Sequence, residues 1–195
     1  MSTTTKRPIQ TVMPIAQRLL SALAPNCHRV ELAGSLRRGR PLVGDIELVA
    51  IPIRPTNLLG EELGGSTALD HYLDSRAIQF VKRGQKYQQF QYGPYLVDLF
   101  LATPATWGSV FTIRTGSADF SKWLVTHEPR GACPWQVSFG NANANPGRLT
   151  HNGRLLSTPE ETDVFNALGL AYIDPTQRHG PIVNPQRIDP IWNYE

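Results

Sequence analysis

The chain of 195 residues is 41% hydrophobic and 18% charged. That excludes a disordered chain and allows one large domain or two small ones, with a core that needs no disulfide staples. The formal net charge of +3 is too small to argue by itself for a polyanionic partner, so that argument rests on where the charges sit.

The N-terminus MSTTTKRP is polar, has no apolar signal core and is expected to fray, and no apolar run in the chain reaches membrane-span length. A soluble, intracellular (cytoplasmic) protein with no membrane partner is therefore expected. Ile9, Val12, Met13, Ala16, Leu19, Leu20 and Leu23 recur at three- and four-residue spacing. This predicts an amphipathic helix ending near Pro25-Asn26, with Pro14 either kinking it or sitting in its first turn. HRVELA (28–33) alternates as a strand that runs into Gly34-Ser35, and residues 45–52 form a second strand stopped by Pro52 and Pro55. Residues 53–66 read as a loop. Leu69, Tyr72, Leu73, Ala77 and Phe80 predict a helix over 67–81, and QKYQQFQYGPYLVDLFLA predicts two strands around Gly93-Pro94.

After Ala102-Thr103-Pro104 the texture changes, and a boundary near 103–106 divides the expected units into 1–104 and 105–195. Residues 107–128 hold an apolar run, a Thr115-Gly116-Ser117 break and the helix-like DFSKWLVTHE. WQVSFG and GRLTHNGRLL read as short strands, the second turning at Asn152-Gly153, with NANANPG as a surface loop between them. STPEETDVFNALGL predicts a helix with Thr158 as N-cap, Pro159 at its first position, Glu161 at its third and Gly169 at its end. The tail from 174 is proline-rich and irregular. Neither Cys27 and Cys133 nor the scattered histidines form a disulfide or zinc pattern. The expected fold class is α/β (α+β), a mixed sheet flanked by helices with a smaller C-terminal unit.

The chemistry concentrates in AGSLRRGRPLVGDIELVAIP, residues 33–52. On a strand Asp45 and Glu47 point to one face, ~7 Å apart at Cα, so their oxygens can converge on a cation. Asp98 stands alone in the apolar run LVDLFL, where an ionised group is costly without a partner. If the two strands are neighbours, three acids meet, and hard oxygen ligands of this kind suit Mg²⁺ or Mn²⁺. Two such ions ~3.5–4 Å apart serve in-line phosphoryl transfer. A Gly-Ser turn followed by Arg37, Arg38 and Arg40 can hold phosphates nearby.

GSLRRGRPLVGDIELV, YLVDLFL and RTGSADFSKWL together resemble the palm and thumb motifs of family X DNA polymerases, the polymerase beta group of nucleotidyltransferases. The resemblance spans roughly residues 7–180. It implies a nucleotidyltransferase palm at 1–104 and a thumb-like part at 105–195. It implies two metals, Mg²⁺ or Mn²⁺, held by Asp45, Glu47 and Asp98, with Asp98 assisting deprotonation of the primer 3′-hydroxyl. Gly34, Ser35, Arg38 and Gly44 would contact the triphosphate of a (d)NTP. Thr115 and Gly116 would lie beside the nucleotide sugar and base, with Arg114 and Ser121 in the same group. Departures are visible: Glu47 replaces the family's second Asp, Ile113-Arg114 replaces an aromatic pair before Thr-Gly-Ser, and Ser121 replaces an Asn. The loss of the aromatic pair implies weak discrimination between dNTPs and rNTPs. The lyase and helix-hairpin-helix domains of the family are not expected here, nor are lyase activity and the DNA grip those domains supply. The implied function is a gap-filling DNA polymerase of the repair type, monomeric, acting on primer-template or gapped DNA. Two alternatives stay open: transfer to an RNA, protein or small-molecule acceptor, and a nucleotide- or nucleic-acid-binding protein without catalysis.

Overall fold

A computed structural model of the chain describes residues 5–59, 61–76, 78–140 and 147–195. The chain divides into two compact units, Met1–Ala102 and Thr103–Glu195, and each buries a core of its own.

The first unit runs β1 (Arg7–Pro8), α1 (Ile9–Leu23), β2 (Cys27–Leu32), α2 (Gly34–Arg37), β3 (Leu42–Val43), β4 (Ile46–Pro52), α3 (Ala68–Ser75), β5 (Phe80–Arg83), β6 (Tyr87–Tyr92) and β7 (Tyr95–Leu101). β1 and β3 pair as a short ribbon, and the rest form a five-stranded sheet in the order β2-β4-β7-β6-β5. β4 and β7 are parallel, and the other pairs are antiparallel. This is a mixed sheet flanked by helices, the class expected from the sequence.

The central position of β4 explains its composition. Ile46, Leu48, Val49 and Ala50 are all fully buried, so the strand is apolar on both faces and reads as a continuous run. Helix α1 buries Val12, Ala16, Leu19 and Leu23, the stripe its periodicity predicts. Pro14 lies inside the helix, beyond its first turn, so it removes one intrahelical hydrogen bond without ending the helix.

The helix expected over 67–81 stops at Ser75. Thr67 caps it, with Asp70 returning the bond to the Thr67 N–H at 2.9 Å. Phe80 belongs instead to the edge strand β5, paired with Phe90 of β6. The pairing of an aromatic and β-branched segment with a ready neighbour overrides a helical spacing that only Leu69 and Leu73 bury. Ala77, part of that expectation, lies outside the described residues.

The second unit contains α4 (Trp107–Thr115), α5 (Ala118–Val125), β8 (Val137–Phe139), β9 (Leu149–His151), β10 (Arg154–Leu156) and α6 (Glu161–Ala167). β10, β9 and β8 form an antiparallel sheet. The β9–β10 hairpin turns at Asn152-Gly153, with φ of 49° and 78°, the positive pair that an Asn-Gly turn supplies. Of the expected NANANPG loop, residues 141–146 lie outside the described residues.

The start of α6 differs from the expected one. Glu160, not Thr158, is the N-cap, and its N–H donates to Asp163 at 2.8 Å. Thr158 is buried and paired elsewhere: its N–H donates to the Ala105 carbonyl at 2.9 Å, and its own carbonyl accepts the Gly108 N–H at 2.7 Å. Packing against the start of α4 wins over local capping. At the other end Gly169 takes φ +65°, and the Leu170 and Gly169 N–H groups close back on Phe165 and Asn166, as a Schellman ending requires.

Candidate active site

The acids of the sequence meet on one face of the first unit's sheet. β4 and β7 are parallel neighbours with Glu47 in register with Asp98, and registered residues of adjacent strands project to the same side. Ile46 and Val97, the pair before them, are fully buried on the opposite face. Asp45 immediately precedes β4, two residues from Glu47. Gly44 lies between β3 and β4, next to Asp45.

The Gly34-Ser35 turn is held against this face. The Ala33 N–H donates to the Glu47 carbonyl at 2.8 Å, which pins the start of α2 to β4. The Ser35 backbone N–H donates to the Glu47 carboxylate. Gly34 has φ +56°, and a Cβ on it would lie 1.5 Å from Glu47 Oε2. Only glycine satisfies both constraints. Gly34→Ala is therefore expected to cost about 1–2 kcal/mol in backbone strain and to push the Glu47 carboxylate off the Ser35 N–H. Chemical denaturation and nucleotide titration of the variant check both effects.

The electrostatics are those of crowded, half-buried acids. Burial and the neighbouring Asp45 and Asp98 raise Glu47 to about 7, against the pull of Arg38 and the Ser35 N–H. Asp45 is raised by burial and by Asp98. Burial lowers the Arg38 guanidinium, while Glu47 and Asp45 oppose that shift. Arg38 is thus a half-buried cation within electrostatic reach of Glu47 and Asp45, and Arg40 is exposed. Among the described residues the buried Ser35 hydroxyl oxygen has no hydrogen-bond partner, which leaves its desolvation uncompensated there.

A pH dependence follows, with a definite sign. Because the folded protein raises Glu47 from 4.5 to about 7, it holds that proton more tightly than the unfolded chain does. The associated stability is fully present below about pH 4.5 and is lost as pH rises through about 7. In metal-free buffer the loss is expected to be on the order of 3 kcal/mol. Glu47→Gln should be the more stable protein at pH 8 and should flatten this part of the profile, as urea denaturation in EDTA at pH 5 and pH 8 would record.

Asp98 is held from the neighbouring strand. Tyr87 Oη donates to Asp98 Oδ1 at 2.5 Å and Gln89 Nε2 donates to the same oxygen at 2.8 Å. The sequence reading missed both residues. The signal was present in the hairpin: Tyr92 pairs with Tyr95 across the Gly93-Pro94 turn, which sets Gln89 directly opposite Asp98.

Among the described residues, no group of three His, Cys, Asp or Glu side chains is placed to hold a metal ion as it stands. The Glu47 carboxylate lies toward Gly34 and accepts the Ser35 N–H. The donor chemistry still fits a hard divalent cation. Three carboxylates lie within electrostatic reach of one another, and two of them are raised by burial and like charge; a bound cation relieves both.

The remaining predicted residues fall in the second unit. Arg114 is an exposed residue in the last turn of α4, and Thr115 is fully buried. A Cβ on Gly116 would lie 2.4 Å from the Phe120 ring, so the α4–α5 corner requires glycine there. Ser121 Oγ donates to the Ile113 carbonyl at 2.7 Å. Ser117 caps α5 by accepting the Phe120 N–H at 3.1 Å. Thr115, Gly116 and Ser121 therefore help to build the corner between two helices. No protein-family model matches the chain, and no curated protein sequence matches it.

Proposed function

We propose that this protein is a metal-dependent nucleotidyltransferase that adds nucleotides from a (d)NTP to a nucleic-acid 3′-end, working as a gap-filling DNA polymerase of the repair type. The observation that carries the reading is the registered pair Glu47–Asp98 on parallel strands, with Asp45 beside it and the Gly34-Ser35 turn bonded to the same face. The resemblance of the GSLRRGRPLVGDIELV and RTGSADFSKWL segments to family X polymerases supports it. The parts played by Arg114, Thr115, Gly116 and Ser121 in nucleotide binding rest on that resemblance alone. Among the described residues no helix is long and apolar enough to cross a membrane.

In this reading Asp45, Glu47 and Asp98 would hold Mg²⁺ or Mn²⁺, which would supply charge neutralisation at the reacting phosphate and a lowered pKa for the primer hydroxyl. Arg38 and the Ser35 hydroxyl bind the triphosphate, the guanidinium stabilising charge that grows on phosphate oxygens. Asp98 takes the proton of the primer 3′-hydroxyl. The 3′-oxygen forms a bond to the α-phosphorus as the bond to the β-phosphate oxygen breaks, and pyrophosphate leaves with the electron pair.

The test is transfer itself. Purified protein is given labelled gapped DNA, single-stranded DNA or RNA, with single NTPs or dNTPs and Mg²⁺ or Mn²⁺. Extension of gapped DNA is the expected result. Extension of RNA alone reassigns the acceptor, and no addition to any acceptor overturns the reading.

A further inference from the structure

We infer that Tyr87 and Gln89 are positioning residues of this site: from β6 they grip one oxygen of Asp98 and leave the other to do the work. The inference rests on the transferase reading above and adds two residues that its motifs do not contain.

The grip has three parts. Gln89 stands directly opposite Asp98 in the antiparallel β6–β7 pair, so its amide reaches the carboxylate without distortion of either strand. Tyr87, two residues earlier on the same face, reaches the same oxygen with its hydroxyl. The Tyr87 ring is itself fixed, stacked on Phe100 at 5.1 Å between centroids, with the Lys82 ammonium 5.8 Å from its centre. Two donors on Oδ1 from a hydrogen-bonded strand set the rotation of the carboxylate about its last bond, which is otherwise soft. Oδ2 is then the oxygen left to accept the 3′-hydroxyl proton, and Asp98 so oriented would join Asp45 and Glu47 in holding a cation. Both donors end on Asp98 Oδ1, so their effect on the site is exerted through that carboxylate. A site held by donors on a rigid strand loses orientation when they are removed and keeps its fold.

The experiment separates the hydroxyl from the ring. Tyr87→Phe keeps the stack on Phe100 and deletes the donor, Tyr87→Leu deletes both, and Gln89→Leu deletes the second donor. Tyr87→Phe and Gln89→Leu are each expected to lower kcat on gapped DNA by ~10–100-fold with KM for nucleotide nearly unchanged. Each should also weaken Mn²⁺ binding by about tenfold when free Mn²⁺ is titrated by electron paramagnetic resonance without substrate. Melting temperatures close to wild type are expected for both. If Tyr87→Phe keeps wild-type kcat and Mn²⁺ affinity while only Tyr87→Leu loses them, the ring is a packing element and the inference is overturned. Wild-type protein that neither extends an acceptor nor binds Mn²⁺ sinks the transferase reading and this inference with it. Active wild type beside an unaffected Tyr87→Phe sinks this inference alone.

Discussion

Asp98→Asn is expected to abolish nucleotide transfer while leaving nucleotide binding largely intact. Asparagine keeps a carbonyl oxygen for the Tyr87 and Gln89 donors, which reach Asp98 Oδ1 at 2.5 and 2.8 Å, so the strand and the side chain stay in place. The negative charge and the proton acceptor are lost. Losing a general base alone lowers a rate by ~10²–10⁴-fold, and losing a ligand charge from a phosphoryl-transfer site lowers it further. On the proposed reading, binding would depend on other groups: Arg38, the Ser35 hydroxyl, and Asp45 with Glu47 on the metal that would accompany the triphosphate. Single-turnover extension and nucleotide titration on the same preparation measure the two effects separately. Turnover near wild type would mean that the registered acids are a solvated sheet face and not a reaction centre.

The second large effect is on stability. Glu161→Ala is expected to destabilise the second unit by about 3–5 kcal/mol, because it strands a buried cation. Arg178 is fully buried and Glu161 is 6% exposed. Arg178 Nη1 donates to Glu161 Oε1 at 2.5 Å and Nε donates to the Ile173 carbonyl at 2.8 Å. Thr112 Oγ1 and Tyr172 Oη add bonds of 3.3 Å to the two carboxylate oxygens. The guanidinium also lies 5.1 Å from the Phe165 ring centre and 5.3 Å from that of Tyr172, so the aromatic faces offset part of its desolvation. Replacing both partners together, Glu161→Met with Arg178→Met, should cost much less than Glu161→Ala alone, since no charge is left buried. Urea denaturation of the variants gives the comparison. A loss below about 1 kcal/mol for Glu161→Ala would place the pair among weak, surface-type ion pairs.

These two sites differ in how far the sequence reveals them. Glu47 and Asp98 are legible because they interrupt apolar strands, where a charge without a partner is expensive, and Asp45 because it stands two residues before Glu47. Their meeting depended on β4 and β7 being neighbours, which spacing alone leaves open and the parallel pairing supplies. The hairpin register that sets Gln89 against Asp98 was readable in principle from the two-residue Gly93-Pro94 turn. Tyr87 and Gln89 went unnoticed because glutamine and tyrosine on an alternating strand look like an ordinary solvated face. The pair Glu161–Arg178 gave no signal at all. Its members are 17 residues apart, with the arginine in an irregular proline-rich tail, and no periodicity links them. Local rules also lost to packing in two helices. The spacing through Phe80 gave way to pairing in β5, and Thr158 left its capping role for bonds with Ala105 and Gly108.

Metal-dependent nucleotide transfer by the acids of β4 and β7 remains the proposal to be tested. The most direct measurement is single-turnover addition of one labelled nucleotide to gapped DNA, run side by side for wild type and Asp98→Asn, with Mg²⁺ and with EDTA. The account predicts extension by wild type with Mg²⁺, none with EDTA, and none by Asp98→Asn under either condition. Equal extension by the two proteins, or extension that persists in EDTA, would contradict it.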